Sequence, residues 1–323
     1  MQSLDLDVLQ RALDWRKAGR GVWLLTVAQT FGASPRPPGS LAAIRDDGIL
    51  VGSVSGGCIE DDLVARRNDY QGRKPHFAAY GVTAEEARQF GLPCGGELEV
   101  IIEPEVRAQE FESLLASIGA GRIVARGVDL ATGDWSIGSA SATDECVRTE
   151  TAFTSVHGPR WRMLIIGASE IAHYLAEVAA TVDFQVFVCD PRDEYRSAWR
   201  AHGATWIDGM PDDAVVAFKP DGHSVVLTVS HDPKLDDMAL LEALKSAAFY
   251  VGAVGSGRTS AERRKRLSDF DLTATDIARL HGPVGLSIGS RTPPEIAVSI
   301  LADLIAARNS IVLEKADTQR KRA

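Results

Sequence analysis

The sequence predicts an α/β protein in two parts. A mixed α/β N-terminal domain spans residues 1–157 and a Rossmann-like domain with a doubly wound parallel sheet spans 158–313, leaving a polar tail, 314–323, expected to be disordered. Three observations lead there. The 323 residues suffice for about two domains at roughly 150 residues each. From residue 162 onward, apolar β-branched runs alternate with helical patterns, as parallel strands joined by helices require. Upstream, strand-like runs are joined by short turn signals such as Asp46-Asp47-Gly48.

Taken in order, Val8, Leu9, Ala12, Leu13 and Trp15 recur at near-helical spacing and stop at Gly19, predicting a helix over 6–17. Residues 22–28 (VWLLTVA) read as a strand buried on both faces. Three prolines between Gly32 and Gly39 exclude regular structure and predict a shaped loop. Strands at 41–45 and 49–51 form a hairpin, and Gly52-Ser-Val-Ser-Gly-Gly-Cys58 runs into a helix over 59–67. Thr83 with Glu86 reads as a capping box opening a short helix; a strand at 98–102, a helix at 108–118 and a hairpin near Ala131 complete this half. The second half reads as strand 162–166, helix 170–181, strands 184–189, 204–207 and 224–229, helix 235–246 and strand 249–254. Two helices follow near 260–267 and 293–308, opened by Thr259 with Glu262 and Thr292 with Glu295.

Composition excludes several classes. With 35 Lys+Arg against 44 Asp+Glu, the net charge of -9 offers no basic field, so nucleic acid is not an expected partner. The N-terminus lacks the basic and apolar regions of a signal peptide, and no apolar run reaches the ~20 residues of a membrane helix. A cytoplasmic location is expected. Four cysteines are too few for a disulfide framework.

Chemistry-bearing residues cluster in glycine loops. Gly167-Ala-Ser-Glu-Ile-Ala172 lies between a first strand and a helix, where a Rossmann phosphate loop belongs, and Asp190 ends the next strand. Position favours a nucleotide, but Ser169 and Ala172 replace glycines of that pattern, and Asp190 before Pro191 reads equally as a turn cap. In a second loop, backbone amides after Gly255 together with Arg258 suit a phosphate, while the four basic residues 263–266 read as a solvated helix face. His231, after Ser230, reads as a ligand contact or a satisfied structural histidine. Cys58 follows Gly56 and Gly57 before a helix, and Cys94 precedes Gly95 and Gly96. A helix start draws a thiol toward thiolate, the form that binds soft metals or carries sulfur; the alternative is two small apolar fillers. Cys146 and Cys189 read as structural. Arg36, in the proline-stiffened loop, presents a guanidinium to an anion or to a structural ion pair.

These motifs resemble one family over nearly the whole chain. Carrying the resemblance are Thr26-Val-Ala-Gln-Thr-Phe-Gly-Ala-Ser-Pro-Arg-Pro-Pro-Gly39, Gly52-Ser-Val-Ser-Gly-Gly-Cys-Ile-Glu60, Gly91-Leu-Pro-Cys-Gly-Gly96, Ser230-His-Asp-Pro-Lys-Leu-Asp-Asp237 and Thr292-Pro-Pro-Glu-Ile-Ala-Val-Ser-Ile300. The chain is thereby similar to the xanthine dehydrogenase accessory proteins, the XdhC/CoxI family. It departs from the family's usual pattern at Ser169, Ala172, Gly257 and Ser287. The resemblance implies a chaperone, an accessory factor and not itself the dehydrogenase, that binds molybdenum cofactor (molybdopterin) as cargo. Such a chaperone presents its cargo for sulfuration by a cysteine desulfurase and delivers it to a xanthine dehydrogenase-type molybdoenzyme. On that reading Cys58 contacts molybdenum or the transferable sulfur, and Cys94 shapes the pocket. Arg36, Gly56, Gly57, Gly95, Gly96, Gly167, Asp190, His231, Gly255 and Arg258 would line the cofactor. Two other classes remain, an NAD(P)-dependent oxidoreductase and a non-catalytic assembly scaffold. A homodimer stays open.

Overall fold

Strand β1 (Val22–Phe31) is buried through its first seven residues, as an apolar run with one threonine requires. It lies at the centre of a five-stranded antiparallel sheet, order β3-β2-β1-β5-β4, with β2 (Leu41–Arg45), β3 (Leu50–Gly52), β4 (His76–Tyr80) and β5 (Glu97–Glu103). The computed structural model describes residues 4–31, 36–57, 59–81, 97–158 and 161–320. They form two units, Gln2–Arg160 and Trp161–Ala323.

In the first unit one sheet face packs on helices Leu4–Lys17 and Ala108–Gly119 through Leu9, Leu24, Phe111 and Leu114. The other face packs on Ile59 and Leu63 through Trp23 and Leu25. The helix expected over 59–67 is shorter, Glu60–Ala65, and gives way to a single 3-10 turn, Arg67–Asp69, where Asn68 and Asp69 favour turn over helix. The helix expected from Thr83 and Glu86 lies outside the described residues. The hairpin near Ala131 joins β6 (Val124–Asp129) to β7 (Trp135–Ser139) in a four-stranded antiparallel sheet, order β7-β6-β9-β8. That sheet is completed by β8 (Val147–Arg148) and β9 (Ala152–His157), neither legible as a separate strand in the sequence.

Buried Arg126 on β6 ties this sheet to the first. Its guanidinium donates to Glu103 Oε1 (2.8 Å) on β5, Thr26 Oγ1 (3.0 Å) on β1 and Ser155 Oγ (3.2 Å) on β9. Each of its three nitrogens finds an acceptor, the condition for burying a charge.

The second unit is the expected parallel sheet. Its order is β12-β11-β10-β13-β14-β15, with β10 (Trp161–Ile166), β11 (Phe184–Cys189), β12 (Thr205–Trp206), β13 (Ser224–Thr228), β14 (Tyr250–Ala253) and β15 (Leu280–His281). Chain order reverses between β10 and β13, which opens a crevice at their carboxyl ends. Helices cover both faces: Glu170–Thr181 and Pro293–Arg320 on one side, Pro211–Phe218 and Pro233–Ala243 on the other.

Two expectations fail here. The helix near 260–267 starts earlier, Gly257–Leu267, and its cap is Ser256, whose Oγ accepts the Thr259 N–H at 3.1 Å; Thr259 is already inside the helix. The tail expected to be disordered from residue 314 continues the helix to Arg320. Its Leu, Glu, Lys, Ala, Gln and Arg are strong helix formers with no glycine or proline among them, and extending a formed helix costs far less than starting one.

Candidate functional site

In the first unit the loop after β3 is built around one carboxylate. Glu60 Oε1 accepts Ser53 Oγ–H (2.6 Å), Val54 N–H (3.0 Å) and Ser55 N–H (2.9 Å). Its Oε2 accepts the Ser55 hydroxyl, Gly57 N–H (3.1 Å) and Ile59 N–H (3.2 Å). Gly56 and Gly57 make this wrap feasible with φ of 86° and 113°, backbone conformations a side chain would strain. Burial pushes the Glu60 carboxyl up, but the Ser53 and Ser55 hydroxyls and the loop amides outweigh it and hold the group at about 2.

Arg36 reaches this loop. Its Nε donates to the Ser53 carbonyl (3.0 Å) and its Nη2 to Asp5 (3.4 Å), so the proline-rich segment and the Ser53–Gly57 turn are tied together. Cys58, Cys94, Gly95 and Gly96 lie outside the described residues. The amides on either side of Cys58, those of Gly57 and Ile59, are both engaged by Glu60. Three carboxylates, Glu60, Asp61 and Asp62, occupy the first turn of the helix that follows, and they work against the helix-dipole argument for a thiolate.

In the second unit Gly167, Ser230 and Gly255 are brought to one crevice. At Gly167, φ is 96° and an added Cβ would lie 2.3 Å from Ser230 Cα, so only glycine lets the two strand ends approach. Ser169 caps helix Glu170–Thr181 by accepting the Ala172 N–H at 3.4 Å. Asp190 is fully engaged: it accepts Ala168 N–H (2.8 Å) and a two-pronged contact from Arg192 (2.8 and 2.7 Å). Burial raises its carboxyl, yet those bonds bring it below the usual aspartate range. Where a nucleotide fold leaves an acid for ribose, this chain has an internal ion pair.

His231 is exposed with φ of 61°, on the turn between β13 and helix Pro233–Ala243. Arg258 is exposed and pairs with Glu262 at 2.9 Å. The helix face read as solvated is mostly not so. Arg263 is buried, donating to Asp236 (3.0 Å) and to the Val254 carbonyl (3.1 Å); Arg264 donates to the carbonyls of Gly282 and Leu280; Arg266 pairs with Asp237 at 2.6 Å. Of the four, Lys265 alone is exposed. Asp236 also accepts the Ser230 hydroxyl at 2.6 Å, so one buried pair locks the Ser230 turn to the strand end before Gly255. Sequence reasoning assigned no role to Glu60 or Asp236, although both stand inside motifs it singled out, and it placed Arg263 on a solvated face. Among the described residues no group of three or more His, Cys, Asp or Glu is placed to hold a metal, and no helix is long and apolar enough to cross a membrane.

Fold and site define a two-domain protein in which a glycine-cysteine loop precedes a Rossmann domain whose first glycine loop bonds to Asp190 and caps its own helix with Ser169. Residues 163–304 match the XdhC Rossmann domain and residues 15–72 match the XdhC and CoxI family. The chain belongs to the XdhC/CoxI family. It is 24% identical over 311 residues to the Escherichia coli molybdenum cofactor insertion chaperone PaoD, covering 93% of this chain and 88% of PaoD. It is 24% identical over 317 residues to a Bacillus subtilis protein described as a probable subunit of xanthine dehydrogenase, covering 90% of this chain and 94% of that one. Escherichia coli YqeB, an uncharacterized protein, is 28% identical over 289 residues; the match takes in 88% of this chain and 43% of YqeB, so the chain spans less than half of that relative. A crystal structure of a Bacillus halodurans protein described as a xanthine dehydrogenase superposes with a TM-score of 0.76 at 25% identity, covering 96% of each chain.

Proposed function

We propose that this protein is a molybdenum cofactor chaperone that takes up the cofactor as cargo, presents it for sulfuration by a cysteine desulfurase and passes it to a xanthine dehydrogenase-type molybdoenzyme. The observation that carries the reading is the Glu60-centred loop. Six hydrogen bonds to one carboxylate hold the backbone on both sides of Cys58, more organisation than an apolar filler cysteine needs. The similarity to PaoD along most of both chains supports it. In this reading Cys58 is the soft contact to molybdenum or to the transferable sulfur, Cys94 shapes the pocket, and Arg36 braces the loop from behind through Ser53. The Asp190–Arg192 pair and the Ser169 cap weigh against an NAD(P)-dependent oxidoreductase.

The test is the cofactor content of protein purified without oxygen, followed by transfer to a demolybdo client enzyme. Wild-type protein should carry molybdenum with pterin. Cys58→Ser should lose most binding or transfer with little change in Tm, Cys94→Ser should be intermediate, and Cys146→Ser should be silent. Bound nicotinamide would support the oxidoreductase instead, and absence of both ligands with retained client binding would leave a scaffold. Equal loading and transfer by all three variants would remove the cysteines from the mechanism.

A further inference from the structure

The first unit holds a cleft of about 440 Å³ lined by Arg16, Gly21, Trp23, Tyr70, Gln71, Arg73, Pro104, Glu105 and Arg107. It lies where β1 begins, whereas the Ser53–Glu60 loop leaves the sheet next to Leu41, which pairs with Thr26 further along that strand. The two features are separate.

Its guanidinium groups differ in how far they are committed. Arg73 is spent inside the protein, donating to the Glu105 and Gly133 carbonyls and to Glu110 and Asp134. Arg107 gives one nitrogen to Asp134 at 3.2 Å and is otherwise exposed. Arg16 has no carboxylate partner among the described residues. Its single hydrogen bond there runs from Nη1 to the Arg20 carbonyl at 3.1 Å, and its buried Nε has no acceptor among them. Nε itself is shut off from the cleft, but the guanidinium lines it with no carboxylate among the described residues to offset its charge, and an oxyanion there would supply that partner. The lining carries three arginines against one acid, Glu105. The volume far exceeds an inorganic ion and falls in the range of small-molecule sites.

From these features we infer that the cleft binds the phosphate group of a small organic monoester, with Arg16 as its principal ligand and Arg107 assisting. Trp23, Tyr70 and Pro104 supply the apolar wall for the organic part. The inference does not depend on the molybdenum cofactor reading, since neither Cys58 nor Glu60 takes part.

Isothermal titration of the full chain with AMP and, separately, with inorganic phosphate tests it. Wild-type protein should bind AMP, and Arg16→Gln should weaken binding by about tenfold or more, the loss expected for one charge-assisted contact. Arg16→Lys should restore part of the affinity and Arg107→Gln should cost less than Arg16→Gln. Arg11→Gln, on the exposed face of the helix that carries Arg16 and outside the cleft lining, should change nothing. Inorganic phosphate binding as tightly as AMP, and equally dependent on Arg16, would support the same site with free phosphate as its ligand. No heat from either probe at millimolar concentration would overturn the proposal, and so would binding that survives Arg16→Gln in folded protein.

Discussion

The backbone N–H of Gly57 donates to the carboxylate of Glu60 at 3.1 Å, from a residue whose φ of 113° suits only glycine. Through that bond the motif's third glycine and its terminal acid become one unit, and the chain between them is shaped from inside by a charge.

Glu60→Gln should therefore loosen the loop. An amide NH2 replaces one acceptor oxygen and meets inward N–H and O–H donors, leaving some unsatisfied at a cost of about 2 to 3 kcal/mol, read by urea denaturation. The charge also sets a pH dependence. The folded carboxyl titrates at about 2, below its unfolded value, so its stabilisation is whole above the unfolded value and is lost as pH falls toward the folded one. Acid titration of stability below about pH 5 should be steeper for wild type than for Glu60→Gln.

Gly167→Ala and Gly257→Ala should behave oppositely. At Gly167 the new Cβ would press on Ser230 backbone and φ is positive, predicting a loss of at least about 2 kcal/mol. Gly257 begins a helix with open space around it, so alanine should be neutral or stabilise by about 0.5 to 1 kcal/mol. Thermal melts of the two variants decide it; equal effects would contradict the packing described.

Arg126→Met should destabilise the first unit by about 3 to 5 kcal/mol, because Glu103 is left buried without its cation. Adding Glu103→Leu should recover much of that loss. Denaturant unfolding of both variants measures the difference, and a double variant no better than the single would show that the pair contributes beyond charge compensation.

NAD and NADP should bind weakly. Ser169 fills the place of the glycine that admits a pyrophosphate, Glu170 adds a negative charge in the first helical turn, and Asp190 is held by Arg192. A dissociation constant in the low micromolar range by calorimetry would contradict this and revive hydride chemistry.

Much of the fold is legible locally. Residues 163–166 (MLII) and 225–228 (VVLT) are continuous apolar or β-branched runs, and only a sheet covered on both faces accepts such strands side by side. The four-stranded sheet is half hidden, because the exposed two-residue strand β8 has no pattern to read. The helical tail departs from expectation because its high helix propensity outweighs its polarity.

By itself the sequence determined the two-part α/β architecture, the parallel order of the second unit and the loops where glycine and cysteine gather. These follow from periodicity and backbone freedom, which are properties of neighbouring residues. Tertiary structure alone decided which charges are interior. Arg263 and Lys265 sit two positions apart in one basic run, yet one is buried against Asp236 and the other exposed. Glu60 and Arg126 likewise look like surface residues until loop and sheet close around them. The physical reason is that a buried charge is tolerated only when distant groups converge to satisfy it, and that convergence is a property of the folded chain.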